Sequence, residues 1–183
     1  MVDSQGEILK LREGHTWKCQ PGYKIFVFGQ GELRLDVPED WFMEVGENSV
    51  RFYDRKPPDD NCRLEVSRFR HSRINWSGLP LDQLVRNVWK DMTNQDRRME
   101  DLHRQSRPGI ELVWAENVFI DPNEKKPARS RIAIVRGLNA HALVTLDYWE
   151  DDAARVLPAW DEAMRSFDMD LKVKDPTIGE QQI

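Results

Sequence analysis

The segment Leu33–Trp41 constrains the fold more than any other part of this sequence. Apolar and polar residues alternate over Leu33–Val37, which is the period of a strand with one buried face. Pro38 has no amide hydrogen for a neighbouring strand, so it should end this strand. The β-rich run Tyr23–Phe28 precedes it across Gly29-Gln30-Gly31, and the two runs together predict a hairpin.

Further strand patterns occur before and after the middle of the chain. We predict strands over 49–53, 62–69, 110–117, 129–136 and 142–149, with turns where Pro, Gly, Asn and Asp cluster between them. In the strand over 62–69, Phe69 falls out of step with Leu64 and Val66, which indicates a bulge or a strand end near Ser67-Arg68. The short connections between the last three strands predict antiparallel neighbours.

Two stretches have the apolar spacing of a helix. Between Leu81 and Met92, apolar residues recur at intervals of three and four, which places one apolar stripe on a helix. We expect this helix to fade through the polar stretch 94–107. Near the C-terminus, Leu157 and Trp160 share a face, and Pro158 predicts that the regular part of a second helix begins there.

These elements predict one α+β domain. Its centre would be an antiparallel sheet of about six to seven strands flanked by helices, which is an α/β/α sandwich. A chain of 183 residues buries roughly 70% of the surface that it exposes when unfolded, so a single core suffices. We expect an N-terminal arm over 1–22, the domain over 23–174 and a frayed C-terminal tail over 175–183.

Composition disfavours membrane proteins and nucleic-acid-binding proteins. No run approaches the ~20 apolar residues that span a bilayer. The first residues lack the basic and apolar regions of a secretion signal, so we expect a cytoplasmic protein. The net charge of -5 disfavours a nucleic-acid partner, because binding phosphates normally requires a basic surplus. Cys19 and Cys62 form no CxxC motif, which predicts free thiols in a reducing compartment.

No pattern assembles a recognisable catalytic or metal site. The four histidines are dispersed, and Gly29-Gln30-Gly31 lacks the third glycine of a nucleotide loop, so we predict no metal and no cofactor. The acidic pairs Asp59-Asp60, Asp151-Asp152 and Glu39-Asp40 have simpler roles in turns and at a helix start. We predict a non-enzymatic domain. The alternative is a small hydrolase that uses carboxylates and His141 in a cleft.

Two basic clusters are candidates for contacting a protein partner. Arg70 and Arg73 follow the strand over 62–69, and Trp76 lies beside them. Arg129 and Arg131 lie two residues apart on a predicted strand, so both face the same side. Aromatic residues beside arginines are typical of binding hot spots, although Trp76 could instead staple the following helix. The arginines suit an acidic protein partner, and salt bridges on a solvated face are their alternative role.

The order of elements and three short segments resemble the PsbP-like superfamily. The segments are Leu35–Trp41, Leu157–Trp160 and Arg165–Phe167, within a resemblance that covers about residues 24–172. This fold is shared by the photosystem II extrinsic subunit PsbP and a Ran-binding nucleotide-release factor. The resemblance points to a bacterial branch whose role is not established. It implies an antiparallel sheet between helices and binding rather than catalysis.

The same resemblance leaves further interpretations open. Some bacterial relatives resemble secretion chaperones, so a carrier of an apolar ligand or helix is another alternative. Such a carrier would need a contiguous exposed apolar patch. An uncovered sheet face or edge would also allow a homodimer.

Overall fold

The computed structural model describes residues 9–29, 31–47, 49–70, 78–92, 98–99, 102–138, 140–171 and 173–181. The elements in chain order are β1 (Tyr23–Phe28), β2 (Leu33–Pro38), β3 (Phe42–Val45), β4 (Ser49–Tyr53), β5 (Cys62–Arg70), α1 (Leu81–Met92), β6 (Arg98–Met99), β7 (His103–Arg107), β8 (Ile110–Ile120), β9 (Pro127–Arg136), β10 (Ala140–Trp149), α2 (Ala153–Ser166), β11 (Asp168–Met169), β12 (Val173–Asp175) and β13 (Glu180–Gln181). A 3-10 turn over Glu150–Asp152 leads into α2. Within the described residues, no helix is long and apolar enough to cross a membrane.

An antiparallel sheet of eight strands forms the centre of the part of the chain that the structure describes. Its order is β3-β4-β5-β10-β9-β8-β6, and β7 also pairs with β8. The strands β1, β2 and β11 form a second sheet. The predicted hairpin of β1 and β2 and the predicted antiparallel neighbours β8, β9 and β10 are confirmed.

The central sheet separates two apolar layers. On one face lie α2 and the β1–β2 hairpin, where Trp160 and Leu35 pack in one core with Leu112 of β8. On the other face lies α1, whose Val85 packs with Val113 of β8 in a second cluster. Leu112 and Val113 are adjacent, so their side chains point to opposite faces of the sheet. This arrangement confirms the predicted α/β/α class.

The predicted bulge or strand end near Ser67-Arg68 is wrong, because β5 continues to Arg70. The pairing of β5 with β4 and β10 runs without a register shift. Leu64 and Val66 are buried, whereas Phe69 is 51% exposed. Phe69 does not share the face of Leu64 and Val66. It lies on the other face of the strand, where its ring contacts solvent.

The predicted start of α2 at Pro158 is also wrong. The helix begins at Ala153 and contains Pro158. Pro158 is the sixth residue of the helix, so it removes one intrahelical hydrogen bond. Burial of Val156 and Trp160 on either side of it offsets this cost. Asp152 occupies the N-cap position without a side-chain cap. Its carboxylate accepts hydrogen bonds from Arg155 instead, so the predicted capping role is wrong.

The strands β3, β6 and β7 have no counterpart among the predicted strands. β3 lies at the sheet edge with its side chains exposed. β7 falls within the polar stretch through which α1 was expected to fade. It pairs with β8, and its last residue, Arg107, donates hydrogen bonds to carbonyls at the end of α2, on Met164, Arg165 and Phe167. Backbone pairing and this contact hold β7, so apolar periodicity does not reveal it.

The segments before β1 and after β11 contact each other. The hydroxyl of Thr16 donates to the carbonyl of Ile178 at 2.9 Å, and the indole of Trp17 donates to the carbonyl of Pro176 at 2.9 Å. Gly179 has φ +74° and lies against the Trp17 ring, which leaves no room for a Cβ. The predicted fraying of the tail is therefore wrong over 175–181. The division of the chain into 1–22, 23–174 and 175–183 stays a prediction.

Candidate functional site

A cavity of about 380 Å³ opens at one end of the central sheet. β5, β9 and β10 meet there with the loop before β5 and the loop after β8. Its aromatic lining residues are Phe119, Tyr148 and Trp149. Its charged lining residues are Asp60, Arg63, Asp121, Arg129 and Asp147. The volume suits a small ligand or an inserted side chain, and the charged lining requires a polar occupant.

Arg129 and Arg131 both reach one buried carboxylate beside this cavity. Arg129 Nη1 lies 2.6 Å from Glu116 Oε1, and Arg131 Nε lies 2.7 Å from Glu116 Oε2. Arg129 Nη2 also donates to Glu150 Oε1 at 2.6 Å. The predicted placement of the two arginines on one side of the strand is confirmed. Carboxylates neutralise both guanidinium groups, while Arg129 also lines the cavity.

Glu116 is the centre of this network. The hydroxyl of Tyr148 donates to Glu116 Oε2 at 2.6 Å, in addition to the two arginines. Burial acts to raise the pKa of Glu116, but hydrogen bonds from Tyr148, Arg131 and Arg129 outweigh burial and hold this pKa below its usual range. Burial, followed by the bond to Glu116, raises the pKa of Tyr148. The carboxylate therefore stays ionised and the phenol stays protonated at neutral pH.

Arg131 is also enclosed by aromatic rings. Its guanidinium carbon lies 4.8 Å from the Trp114 ring centroid and 5.8 Å from that of Trp160. The exposed Asp161 contributes a more distant ion pair at 3.8 Å. These contacts place Arg131 in the packing between β9 and α2. Its predicted contact with a partner stays a prediction, as does that of Arg129.

The other predicted contact residues lie at or beyond the end of β5. Arg70 is the last residue of β5. Arg73 and Trp76 lie outside the described residues. The structure therefore brings together Arg129 and Arg131 from the predicted set, and the role of Arg70, Arg73 and Trp76 in partner binding stays a prediction.

The carboxylates of the cavity and His141 lie far apart. His141 is buried near the start of β10, whereas Asp147 lies near its end. The strand rise places these positions about 20 Å apart. A single cleft cannot use both groups in one reaction. In the described part of the chain, no cluster of three or more potential ligands for a metal is present.

Cys62 contributes a buried thiol to the cavity lining. Burial, together with the charge of Asp54, raises the pKa of Cys62 to about 12. The thiolate is the nucleophilic form of cysteine, so this thiol is inert at neutral pH.

Ellman's reagent should therefore modify Cys19 and spare Cys62 in the folded protein, because Cys19 is exposed and Cys62 is buried. We expect about one reactive thiol per chain in native buffer and about two in urea. A Cys19→Ser variant serves as the control and should show almost no reaction before unfolding. Rapid modification of Cys62 in native buffer would contradict the burial of this thiol.

Sequence reasoning missed Glu116 as a functional residue. The signal was present in β8, where Ile110, Leu112, Trp114 and Glu116 follow one alternating face. An acidic residue on the apolar face of a strand requires charged or hydrogen-bonding partners. Arg129 and Arg131 on the neighbouring strand supply them.

Comparisons with known proteins agree with this architecture. Cyanobacterial PsbP (CyanoP) from Synechocystis sp. PCC 6803 superimposes with a TM-score of 0.60 at 12% identity, over 84% of this chain and 98% of that chain. The Ran-binding protein Mog1p of Saccharomyces cerevisiae superimposes with a TM-score of 0.56 at 10% identity, over 80% of this chain and 95% of that chain. These structures confirm the PsbP-like fold.

A relative in sequence gives the family. The Uncharacterized protein alr1449 of Nostoc sp. (strain PCC 7120 / SAG 25.82 / UTEX 2576) is 39% identical over 174 residues, which cover 94% of this chain and 91% of the relative. The profile of the Alr1449 family matches residues 24–173. The chain therefore belongs to the Alr1449 family, a bacterial branch with the PsbP-like fold.

Proposed function

We propose that this chain is a non-enzymatic cytoplasmic domain that binds a protein partner at the cavity end of the central sheet. The observation that carries the proposal is an open cavity lined by three aromatic and five charged side chains, a lining that suits a polar segment of a protein. The hydrogen-bonded pair of Glu116 and Tyr148 beside it is poorly suited to acid–base catalysis. General acid–base chemistry requires groups that exchange protons near the working pH. Glu116 and Tyr148 have pKa values moved away from neutrality in opposite directions.

The lining also distinguishes a polar partner from an apolar cargo. Five charged side chains border the cavity, and a buried charge without a partner is costly. An apolar helix or lipid in this space would remove water from these charges and would give Asp60 no partner. A segment of a protein with charged and polar groups suits the cavity better.

The structural relatives support a binding role in general terms. Mog1p is a Ran-binding protein, and the fold it shares with this chain is the basis of the analogy. In our proposal Arg129 borders the contact surface, and Arg131 keeps Glu116 in place behind it. We also propose Arg70, Arg73 and Trp76 as further residues that contact a partner. The exposed edge strand β3 is the proposed contact of a homodimer.

A pull-down from lysate of the native host tests the proposal. Asp60→Arg reverses a charge in the cavity lining, and Asp59→Arg makes the same change at the neighbouring exposed residue outside the lining. We expect a protein that the wild type and Asp59→Arg capture equally and that Asp60→Arg captures about tenfold less, measured by quantitative mass spectrometry. Tenfold corresponds to about 1.4 kcal/mol of binding free energy.

The double variant Arg129→Ala/Arg131→Ala is a poor probe of binding. It would leave the buried carboxylate of Glu116 without its two cations, so loss of a partner could reflect unfolding. A set of captured proteins that does not change with Asp60→Arg would contradict the cavity as the contact surface.

A further inference from the structure

The floor of the cavity is a notch between two aromatic residues. Ala128 of β9 pairs with Phe119 of β8 on one side and with Trp149 of β10 on the other. Directly paired residues of antiparallel strands project from the same face. Neighbouring strands lie about 4.8 Å apart, so the backbones of the two aromatic residues are separated by roughly 10 Å. The small side chain of Ala128, which is only 5% exposed, lines the cavity between these two aromatic residues.

Carboxylates surround this notch. Asp147 lies two residues before Trp149 and shares its face, while Asp60 and Asp121 lie in the two flanking loops. Asp147 Oδ2 accepts a hydrogen bond from Arg63 at 2.8 Å, and Asp147 Oδ1 accepts one from the hydroxyl of Ser130 at 2.6 Å. Asp121 accepts backbone amides of its own turn. Among the described residues, the carboxylate of Asp60 forms no hydrogen bond or ion pair.

The charge balance of the lining is negative. Two arginines border the cavity, and each already has carboxylate partners: Arg63 pairs with Asp147, and Arg129 pairs with Glu116 and Glu150. Counting these partners, together with Arg131, which shares Glu116, five carboxylates face three guanidinium groups and the ammonium group of Lys126. The cavity therefore favours a basic segment over the acidic partner that the arginines alone predict.

A cation already approaches one wall of the notch. Lys126 is exposed, and its Nζ lies 5.8 Å from the centroid of the Trp149 ring. This distance is within the range of a cation–π interaction. The Trp149 ring therefore accepts a cation from the solvent side, and an incoming cation would compete with Lys126.

We propose that the notch receives an arginine side chain of the protein partner, an inference that rests on the proposed function. A guanidinium group is flat and stacks on aromatic rings, so it fits between Phe119 and Trp149. Its N–H groups can bind a carboxylate through two parallel hydrogen bonds, and Asp60 offers such an acceptor. An ammonium group is not planar, so it would stack less well between the two aromatic residues of the notch.

A titration with short peptides tests the notch directly. The probe is Ac-Gly-Arg-Gly-NH2, and the matched control is the same peptide with citrulline, which keeps the shape and lacks the charge. We expect saturable NMR shifts for the amides of 60, 119–121 and 147–149 and for the indole of Trp149. The citrulline peptide should bind about tenfold more weakly, because hydrogen bonds to charged groups are the stronger kind.

Three variants make the assignment specific. Asp60→Asn should weaken arginine binding about tenfold, and Asp59→Asn should leave it unchanged. Lys126→Ala removes the competing cation, so it should tighten binding about threefold. Equal binding of the two peptides, shifts at another surface, or no change in Lys126→Ala would each overturn the assignment.

The two tests fail in different ways. Peptide binding at the notch, with no protein captured through the cavity, would support the arginine site and contradict the proposed function. A captured protein that depends on Asp60, with no binding of the arginine peptide, would support the proposed function and overturn the arginine site.

Discussion

Replacing Glu116 with alanine should destabilise the fold by about 3–5 kcal/mol, which is the usual cost of removing one partner from a buried ion pair. Glu116 is buried and accepts hydrogen bonds from Arg129, Arg131 and Tyr148. Its removal leaves Arg131 enclosed between two tryptophan rings without its nearest carboxylate. Urea unfolding followed by tryptophan fluorescence measures the loss.

Glu150→Ala is the matched control for this experiment. Glu150 forms one ion pair with Arg129 at 2.6 Å, and its side chain is substantially exposed. An exposed pair contributes at most about 1 kcal/mol, so this variant should unfold near the wild-type midpoint. If Glu116→Ala loses no more stability than Glu150→Ala, the network does not hold β8, β9 and β10 together as the distances indicate.

Elements with a buried face could be predicted from the sequence because burial leaves a periodic pattern. α1 presents its apolar stripe to one face of the sheet, and Leu81 and Val85 are buried there. β8, β9 and β10 have long apolar runs because helices cover both faces of the sheet. These patterns fixed the α+β class and the antiparallel order of the last strands.

Elements held by backbone pairing or by distant contacts could not be predicted in this way. β3 and β7 expose their side chains, so neither has an apolar alternation. The segment 173–181 is held by Thr16 and Trp17, which lie more than 150 residues earlier in the chain. Loop positions such as Asp60 show no pattern at all, so the cavity became visible only after folding brought its walls together.

The candidate site, like the fold, could be predicted from the sequence only in part. The two-residue spacing of Arg129 and Arg131 correctly predicted that they share a face. Spacing could not show that the carboxylate of Glu116, thirteen positions before Arg129, accepts hydrogen bonds from both of them. Antiparallel pairing of β8 with β9 creates this contact. Because the two arginines already have carboxylate partners, our proposal favours a basic partner over an acidic one.

Asp36 should make stability depend on pH in the opposite direction to most carboxylates. Its side chain is fully buried on β2 and pairs with Arg34 Nη2 at 2.8 Å. Glu162 and Arg165 of α2 face the same region. Burial raises the pKa of Asp36 to about 6, because it outweighs the opposing effect of Arg34, and Glu162 adds to the rise.

The sign of the effect follows from proton binding. The pKa of an aspartate in an unfolded chain is about 3.9, so between pH 4 and 6 the folded state binds more protons than the unfolded state. The free energy of unfolding contributed by Asp36 is therefore fully present below about pH 4 and is lost as the pH rises through 6. A shift of about two units corresponds to roughly 3 kcal/mol.

Asp36→Asn removes the titrating carboxyl group. The variant should therefore separate the effect of Asp36 on stability from the effects of all other titrating groups. Other carboxylates, including Glu116, titrate in both proteins, so their contributions cancel in the difference. The free energy of unfolding of Asp36→Asn relative to the wild type should rise by about 3 kcal/mol between pH 4.0 and 7.5, measured by urea unfolding at both values. Asp40→Asn, an exposed site just after β2, should follow the wild type at both pH values. A difference for Asp36→Asn that stays constant or falls with pH would show that Arg34, rather than burial, controls the ionisation of Asp36.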